Sequence, residues 1–177
     1  MFIESSVYPF LNPLKENWSI VLAELQALSQ TYFVEWPERD IYKGNWRVFA
    51  LFRLGVPFED NVKSCPETAR MLQEVPGLVN AGFSSLDSGV YIGPHTGYTR
   101  QVLRCHLGLI VPEQCGIRVG QEVRSWSPGS CFVFDDTQEH EAWNQSKSKR
   151  VVLLFDFKRD PGAELTEFPD DLDDYKL

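Results

Sequence analysis

Apolar residues recur at two different spacings along the chain, and the change between them separates an early helical part from later strands. Between Asn12 and Gln30 they recur every three or four residues, which predicts an amphipathic helix. A second helix is predicted from Cys65 or Pro66 to Glu74, because proline favours a first helical turn and Pro76 follows closely. We expect both helices to pack their apolar sides against the strands.

Short runs of β-branched and aromatic residues, bounded by turn-forming residues, predict strands in the remainder of the chain. The first run is W-R-V-F-A-L-F-R-L, within Asn45 to Leu54. Many short strands after two helices indicate a mainly β fold, a double-stranded β-helix of the jelly-roll or cupin-like type, with N-terminal helices packed on one side. The later predicted strands are Leu78–Leu86, Gly89–Ile92, Gln101–Val111, Gly116–Val119, Glu122–Trp126, Ser130–Phe134, His140–Asn144 and Arg150–Lys158.

The length of 177 residues predicts one domain. We place that domain at residues 1–160, because the chain becomes acidic after Asp160-Pro161 and ends P-D-D-L-D-D-Y-K-L. Residues 161–177 are therefore predicted to form an acidic, mobile tail.

Net charge argues against two classes of partner. A formal charge of −8 and an isoelectric point near 4.9 would repel nucleic acid and anionic membrane surfaces, and no basic cluster offsets them. The first residues, M-F-I-E-S-S-V-Y-P-F, contain no positive leader, and no apolar run approaches the about 20 residues of a membrane span. We expect a cytoplasmic protein without nucleic-acid or membrane partners. The sequence does not indicate an oligomeric state.

The four cysteines form no C-x-x-C pair and no zinc spacing, so we expect reduced thiols. Cys105 lies between Arg104 and His106 on a predicted strand, so its side chain should point to the opposite face from theirs. The remaining cysteines are Cys65, Cys115 and Cys131.

All three histidines of the chain lie between Ile92 and Asp156, which suggests that imidazole serves chemistry there. They are His95, His106 and His140. Two histidines far apart in sequence but brought together inside a β-barrel, beside cationic residues, fit a non-haem Fe(II) site. The ordinary alternative is that each histidine is hydrogen-bonded packing.

The third ligand of such a site is usually a carboxylate two residues after the first histidine, and that position is Gly97. Either the iron has two protein ligands, or a third comes from elsewhere. The candidates are His106, Asp136 and Glu139.

Five ordered segments resemble the aspartyl/asparaginyl β-hydroxylase family, Fe(II)- and 2-oxoglutarate-dependent oxygenases that also include bacterial lipid A hydroxylases. The resemblance continues upstream and covers nearly the whole chain apart from the acidic tail. The five segments are P-H-T-G (94–97), R-C-H-L-G-L (104–109), C-G-I-R-V-G (115–120), F-D-D-T-Q-E-H-E-A-W-N (134–144) and R-V-V-L-L-F-D (150–156). The upstream segments are W-R-V-F-A-L-F (46–52), C-P-E-T (65–68) and P-G-L-V-N-A-G-F-S (76–84).

The resemblance implies that His95 and His140 are the iron ligands. The family itself has glycine at the position of Gly97, so water is expected in place of the carboxylate. By the same resemblance, Arg150 pairs with the distal carboxylate of 2-oxoglutarate, assisted by the hydroxyl of Ser84. A guanidinium can grip a carboxylate through two parallel hydrogen bonds, which fixes orientation as well as charge.

Arg104 and His106 match the family residues that hold the 2-oxoglutarate carboxylate next to the metal. With Fe(II), 2-oxoglutarate and O2, members of the family insert a hydroxyl group into an unactivated C–H bond. We therefore predict a dioxygenase acting on a C–H bond, at the β-carbon, of an amino acid, a peptide or a small natural product.

Two other functions remain open. One is a 2-oxoglutarate-dependent halogenase, in which chloride takes the place of the missing carboxylate. The other is a non-catalytic, cupin-like metal-binding or ligand-binding module.

Several further residues bear on the substrate and the site. Val102 stands where a member acting on aspartyl residues would offer an arginine, so we favour a small soluble substrate. Its acid group could bind Arg47, Arg53 or Arg100, which are equally interpretable as surface charges. Asp135 and Asp136 are interpreted as a turn before the strand of His140, with support of an iron ligand as the alternative. Trp126 and Trp143 are interpreted as barrel core.

Overall fold

Two antiparallel sheets face each other in the computed structural model, which describes residues 1–166. The acidic tail predicted for residues 161–177 therefore falls largely outside the described residues. The strands are β1 (Phe2–Ile3), β2 (Val34–Glu35), β3 (Tyr42–Lys43), β4 (Trp46–Arg53), β5 (Val56–Pro57), β6 (Leu78–Leu86), β7 (Tyr91–His95), β8 (Val102–Ile110), β9 (Cys115–Val119), β10 (Glu122–Arg124), β11 (Cys131–Phe134), β12 (His140–Asn144) and β13 (Arg150–Lys158). The helices are α1 (Asn12–Glu16), α2 (Trp18–Ala27), α3 (Glu59–Ser64) and α4 (Pro66–Gln73).

The larger sheet has the strand order β1-β11-β8-β13-β6-β4-β2, with β5 paired to β4. The smaller sheet has the order β10-β9-β12-β7-β3. Neighbours in both sheets are often distant in sequence, as expected when a chain winds back and forth between two sheets. The predicted mainly β, jelly-roll fold is confirmed.

The larger sheet separates two apolar clusters. Its outer face, which includes Cys105, packs against helix residues such as Leu25 of α2 and Leu72 of α4. Its inner face packs against the smaller sheet through residues such as Leu154 and Ile117. Strand β8 serves both faces, because side chains alternate along a strand.

The helices lie on one side of the larger sheet, as predicted, and α2 is tied to α4 by one carboxylate. Oε1 of Glu24 accepts the backbone N–H of Glu67 at 2.9 Å, and Oε2 accepts both the backbone N–H and the hydroxyl of Thr68 at 2.9 and 2.6 Å. The carboxylate thereby satisfies N–H groups of the first turn of α4, which have no partner inside the helix.

Several local predictions were wrong. The helix predicted from Asn12 to Gln30 is two helices, because the side-chain amide of Asn17 bonds the Pro13 carbonyl at 2.8 Å and the backbone of Asn17 leaves the helical region. The helix α3 was not predicted from the sequence. Trp143 is half-buried on the outer face of the smaller sheet, where it lies against Gly116 and not in the barrel core.

Candidate active site

His95 and His140 lie side by side on neighbouring strands β7 and β12. They are direct register partners, and their ring centroids are 4.1 Å apart. Nδ1 of His95 bonds the Gly93 carbonyl at 2.8 Å, and Nδ1 of His140 bonds the Gln138 carbonyl at 2.9 Å. Since a carbonyl oxygen only accepts, both Nδ1 atoms carry the proton. Each Nε2 is then left with a free lone pair, as a metal ligand requires.

The environment keeps both rings neutral. Burial lowers the pKa of His140 to about 3, and the neighbouring His95 would add repulsion if it were protonated. Burial also lowers the pKa of His95, and the nearby Arg104 adds to the effect. Neutral imidazole is the form that binds metal ions, so this pair is ready to bind one near neutral pH.

Gly97 leaves room for the carboxylate of Asp136. A β-carbon on Gly97 would overlap Oδ1, Oδ2 and Cγ of Asp136, so no other residue fits there without displacing that side chain. The backbone N–H of Gly97 also bonds the Asp136 carbonyl at 2.7 Å. The carboxylate of Asp136, two residues after the end of β11, therefore occupies the space that a side chain at position 97 would fill.

The Asp136 side chain is buried, and its Oδ1 has no hydrogen-bond partner within residues 1–166. Burial raises its pKa to about 6, although the nearby Arg104 opposes the shift. An unpartnered oxygen beside two free imidazole nitrogens suits a ligand carrying protons, such as a water molecule bound to a metal.

Of the other candidate third ligands, Glu139 is directed elsewhere. Its side chain is 59% exposed and pairs with Arg118 at 2.9 Å. Among residues 1–166, no group of three or more His, Cys, Asp and Glu side chains is arranged to hold a metal. The described site thus offers two histidines, with Asp136 as the adjoining carboxylate.

Arg150 is the largest charged side chain in the interior, at 2% exposure. Its Nε and Nη1 find no hydrogen-bond partner in the part of the chain that the structure describes. Its guanidinium carbon lies 4.7 Å from the centroid of the Trp126 ring. Burial lowers the pKa of Arg150 to about 10, so it is still charged at neutral pH. A buried cation with free donors is suited to an anion.

His106 and Ser84 line the same inner face of the larger sheet. Nδ1 of His106 accepts the indole N–H of Trp126 at 3.2 Å, while its Nε2 is buried and has no partner among the described residues. The Ser84 oxygen accepts the indole N–H of Trp46 at 3.0 Å, so its own hydrogen is available to an acceptor. Burial lowers the pKa of His106 well below its usual value, with Arg150 and Arg104 adding to the effect.

Arg104 faces the site, but carboxylates already occupy much of its guanidinium. Its Nε and Nη2 donate to Asp156 at 2.8 and 3.0 Å, and Nη2 lies 3.5 Å from Oδ2 of Asp136. Burial alone would lower the pKa of Arg104, but the charges of Asp156 and Asp136 outweigh it and raise the pKa. For an added carboxylate, Nη1 is the nitrogen left over.

Of the residues considered for a substrate acid group, Arg47 lies away from the site. It shares the strand parity of Phe49 and Leu51, which face the helices. Arg53 stands opposite Val56 in the β4–β5 hairpin, and Val102 is buried at the start of β8.

The two residues of the Asp135-Asp136 turn have different surroundings. Asp135 accepts the N–H and hydroxyl of Thr137 and pairs with Arg159 at 2.6 Å, which is the predicted turn role. Asp136 instead borders the histidine pair.

Two residues that contact the candidate site were not predicted from the sequence. Asp156 is the main partner of Arg104, and the signal for it was its inward parity on the last strand. Trp126 contacts both His106 and Arg150, although the sequence pattern indicated only a core residue.

Comparison with known proteins gives a family match over most of the chain. The family model described as aspartyl/asparaginyl beta-hydroxylase matches residues 15–160. An ornithine lipid ester-linked acyl 2-hydroxylase of Rhizobium tropici is 46% identical over 115 residues, which are 63% of this chain and 41% of that protein. The aspartyl/asparaginyl beta-hydroxylase of Homo sapiens is 31% identical over 162 residues, 86% of this chain and 21% of that protein. The chain thus spans less than half the length of these relatives.

Solved structures with this fold include two oxygenases. A 2OG-Fe(II) oxygenase family oxidoreductase from Burkholderia pseudomallei superposes with a TM-score of 0.55 at 14% identity, covering 84% of this chain and 82% of that one. A prolyl-4-hydroxylase from Pseudomonas putida gives 0.53 at 15% identity, covering 84% and 87%. None of the helices in residues 1–166 is long and apolar enough to cross a membrane.

Proposed function

Because the chain belongs to the aspartyl/asparaginyl β-hydroxylase family, we propose that it is a hydroxylase that uses Fe(II), 2-oxoglutarate and O2. Nε2 of His95 and Nε2 of His140 would hold the iron. When bound, the iron supplies the redox chemistry that couples oxidative decarboxylation of 2-oxoglutarate by O2 to hydroxylation of a C–H bond, with succinate and CO2 as co-products.

The surrounding side chains would bind and orient the co-substrate. Arg150 supplies two free donors for the distal carboxylate, and the Ser84 hydroxyl supplies a third. The Nε2–H of His106 and the remaining Nη1 of Arg104 suit the carboxylate nearest the metal. Asp136 would accept hydrogen bonds from water beside the metal, which fixes that water in place.

Arg150 carries this proposal. Burying an unpaired charge destabilises a protein by roughly several kcal/mol, and an anionic ligand that pairs with the charge offsets this cost. The guanidinium is 2% exposed and has two unpartnered nitrogens in the described chain. Arg150 lies on the larger sheet and the histidine pair on the smaller sheet that faces it. A keto-dicarboxylate that lies between Arg150 and the histidines would match the positive charge of Arg150 and its free N–H donors.

The substrate proposed first is an amino acid, a peptide or a small natural product, hydroxylated at an unactivated C–H. A second class is favoured by the 46% identity to the Rhizobium tropici relative, whose name specifies an ester-linked acyl chain and carbon 2. The buried, apolar Val102 agrees with this class, because it provides no charge for an aspartyl side chain. The β-carbon of an aspartyl residue and carbon 2 of an acyl chain both lie next to a carbonyl or carboxyl carbon.

Asp136 also bears on the halogenase alternative. Its carboxylate fills the space at Gly97 where chloride would have to bind. An anion beside that carboxylate would be repelled unless Asp136 were protonated. The arrangement therefore favours hydroxylation.

The test is anaerobic reconstitution with Fe(II) and 2-oxoglutarate, followed by O2 and a panel of free amino acids, aspartyl peptides and an acylated ornithine lipid. With one of these substrate classes we expect succinate and a product whose mass is higher by one oxygen atom. A chlorine isotope pattern would indicate the halogenase. The absence of succinate with every substrate would leave the non-catalytic module.

The matched variants are Arg150→Gln and Arg47→Gln. Binding of 2-oxoglutarate to the Mn(II)-loaded protein should weaken at least about thirtyfold in Arg150→Gln, as expected when one partner of a buried charge pair is removed. Arg47 lies on the outer face, so its variant should bind like wild type. Equal affinities in both variants would contradict the proposed role of Arg150.

A further inference from the structure

We infer that Trp126 is a positioning residue that holds both ends of the co-substrate site, fixing the proton of His106 at Nε2 and seating the guanidinium of Arg150. The expected effect on 2-oxoglutarate binding rests on the proposed function, whereas the contacts of Trp126 with His106 and Arg150 do not. Trp126 is buried at 4% exposure and contacts both residues directly.

The first contact fixes a tautomer. An indole N–H can only donate, so Nδ1 of His106, 3.2 Å away, must carry the lone pair. In a neutral ring the proton then belongs to Nε2, the atom left without a partner among residues 1–166. Nε2 is thereby a donor suited to a carboxylate. With the proton at Nδ1 instead, Nε2 would present a lone pair that repels the same carboxylate.

The second contact seats the cation. The Arg150 guanidinium carbon lies 4.7 Å from the centroid of the Trp126 ring, within the range of a cation–π interaction. In the described chain, Nε and Nη1 of Arg150 have no hydrogen bonds that would hold them. The ring face therefore supplies a contact that orients the guanidinium before an anion arrives, which lowers the entropic cost of binding.

Close backbone packing holds Trp126 in this position. The loop after β10 folds onto β8. The backbone N–H of Gly129 donates to the Gly108 carbonyl at 2.9 Å, and the N–H of Gly108 donates to the Ser130 carbonyl at 3.1 Å. A β-carbon on Gly108 would overlap the carbonyl oxygen of Ser127. Gly108 is two residues beyond His106 on the same strand face, so the missing side chain lets the loop carry Trp126 down to His106.

Two substitutions separate the two contacts. Trp126→Phe keeps an aromatic face under Arg150 but removes the N–H donor, and Trp126→Leu removes both. Loss of one hydrogen bond in a buried site corresponds to about a tenfold weaker affinity for 2-oxoglutarate in Trp126→Phe. Trp126→Leu should weaken it further. The control is Trp143→Phe, because Trp143 lies on the outer face of the smaller sheet against Gly116.

The tautomer is read directly by long-range ¹H–¹⁵N NMR on metal-free protein with ¹⁵N-labelled histidine. We expect His106 protonated at Nε2 in wild type and Trp143→Phe, with a second, Nδ1-protonated population in Trp126→Phe. Affinity for 2-oxoglutarate is measured by calorimetry on the Mn(II)-loaded proteins. The KM for 2-oxoglutarate should rise more than kcat falls.

The wild-type spectrum can overturn the inference without any variant, because a His106 ring protonated at Nδ1 excludes the indole as its donor. An unchanged tautomer and unchanged affinity in Trp126→Phe would overturn it too. If wild type binds no 2-oxoglutarate while Trp126→Phe still shifts the tautomer, the proposed function fails and the hold of Trp126 on His106 stands.

Discussion

Arg104 and Asp156 face each other across β8 and β13 and share two hydrogen bonds, Nε to Oδ1 at 2.8 Å and Nη2 to Oδ2 at 3.0 Å. Asn80, on the next strand, adds its amide to Oδ2 at 3.4 Å. The side chains of Arg104 and Asp156 are 17% and 3% exposed, so water replaces little of what a substitution removes.

We predict that Asp156→Asn destabilises the protein by about 3 kcal/mol, because it leaves a mostly buried cation without its main partner. Urea unfolding of the metal-free protein measures this. The control is Asp60→Asn, which removes an ion pair whose side chains are 69% and 97% exposed and should leave the midpoint unchanged. Equal midpoints for both variants would show that the Arg104–Asp156 pair does not stabilise the fold.

Substitutions at Gly97 and Asp136 should be coupled energetically, because a side chain at position 97 would occupy the space of the Asp136 carboxylate. Gly97→Ala alone should destabilise by about 1–3 kcal/mol, the usual cost of forcing extra atoms into a packed interior. In Gly97→Ala/Asp136→Gly the added methyl group has space, so the penalty of the first substitution should largely disappear. A double-mutant cycle by urea unfolding measures the coupling. Additive free energies would contradict the overlap.

The buried histidines predict a loss of stability in acid for the metal-free protein. The pKa of folded His140 is lowered to about 3, against an ordinary 6.5. Between these values the unfolded state binds a proton that the folded state refuses, so stability falls as pH falls. One such group changes the free energy of unfolding by about 1.4 kcal/mol per pH unit in that window.

Asp136 works in the opposite direction, because burial raises its pKa to about 6 from 3.8. Between these values the folded state takes the proton first, so acidification stabilises it. From pH 7 to 4 we therefore expect a shallower stability loss in His140→Gln and a steeper one in Asp136→Asn than in wild type. Thermal or urea unfolding with EDTA present measures both. Slopes that change in the same direction would contradict the assignment.

The four cysteines should be unreactive in the folded protein. All are free and buried, and burial raises the pKa of Cys65 to about 12. Since the thiolate is the reactive form, native protein should react with DTNB only as fast as it unfolds, and denatured protein should release four equivalents. Fast reaction of even one thiol in the native protein would indicate an opening that the structure does not contain.

The sequence predicted local features of this protein better than long-range ones. The bounds of β6, β12 and β13 follow from alternation and turn residues within each segment, and they were predicted correctly. The position of Cys105, on the face opposite Arg104 and His106, follows from strand parity and is confirmed.

What could not be predicted depends on register between distant strands. Arg104 and Asp156 are 52 residues apart in sequence, and only the pairing of β8 with β13 brings them together. Trp126 reaches His106 because a loop settles over Gly108, a contact without periodicity in the sequence. The break at Asn17 reflects a single side-chain bond that competes with the helix.

Strand β8 contributes to the apolar core with one face and to the candidate site with the other, so both depend on the same strand pairing. A shift of its pairing by a single residue would turn Arg104 and His106 toward the helices and Cys105 toward the histidine pair. Such a chain would lose two donors from the inner face and at the same time bury two polar side chains among leucines and phenylalanines. Mispaired protein should therefore be too unstable to accumulate.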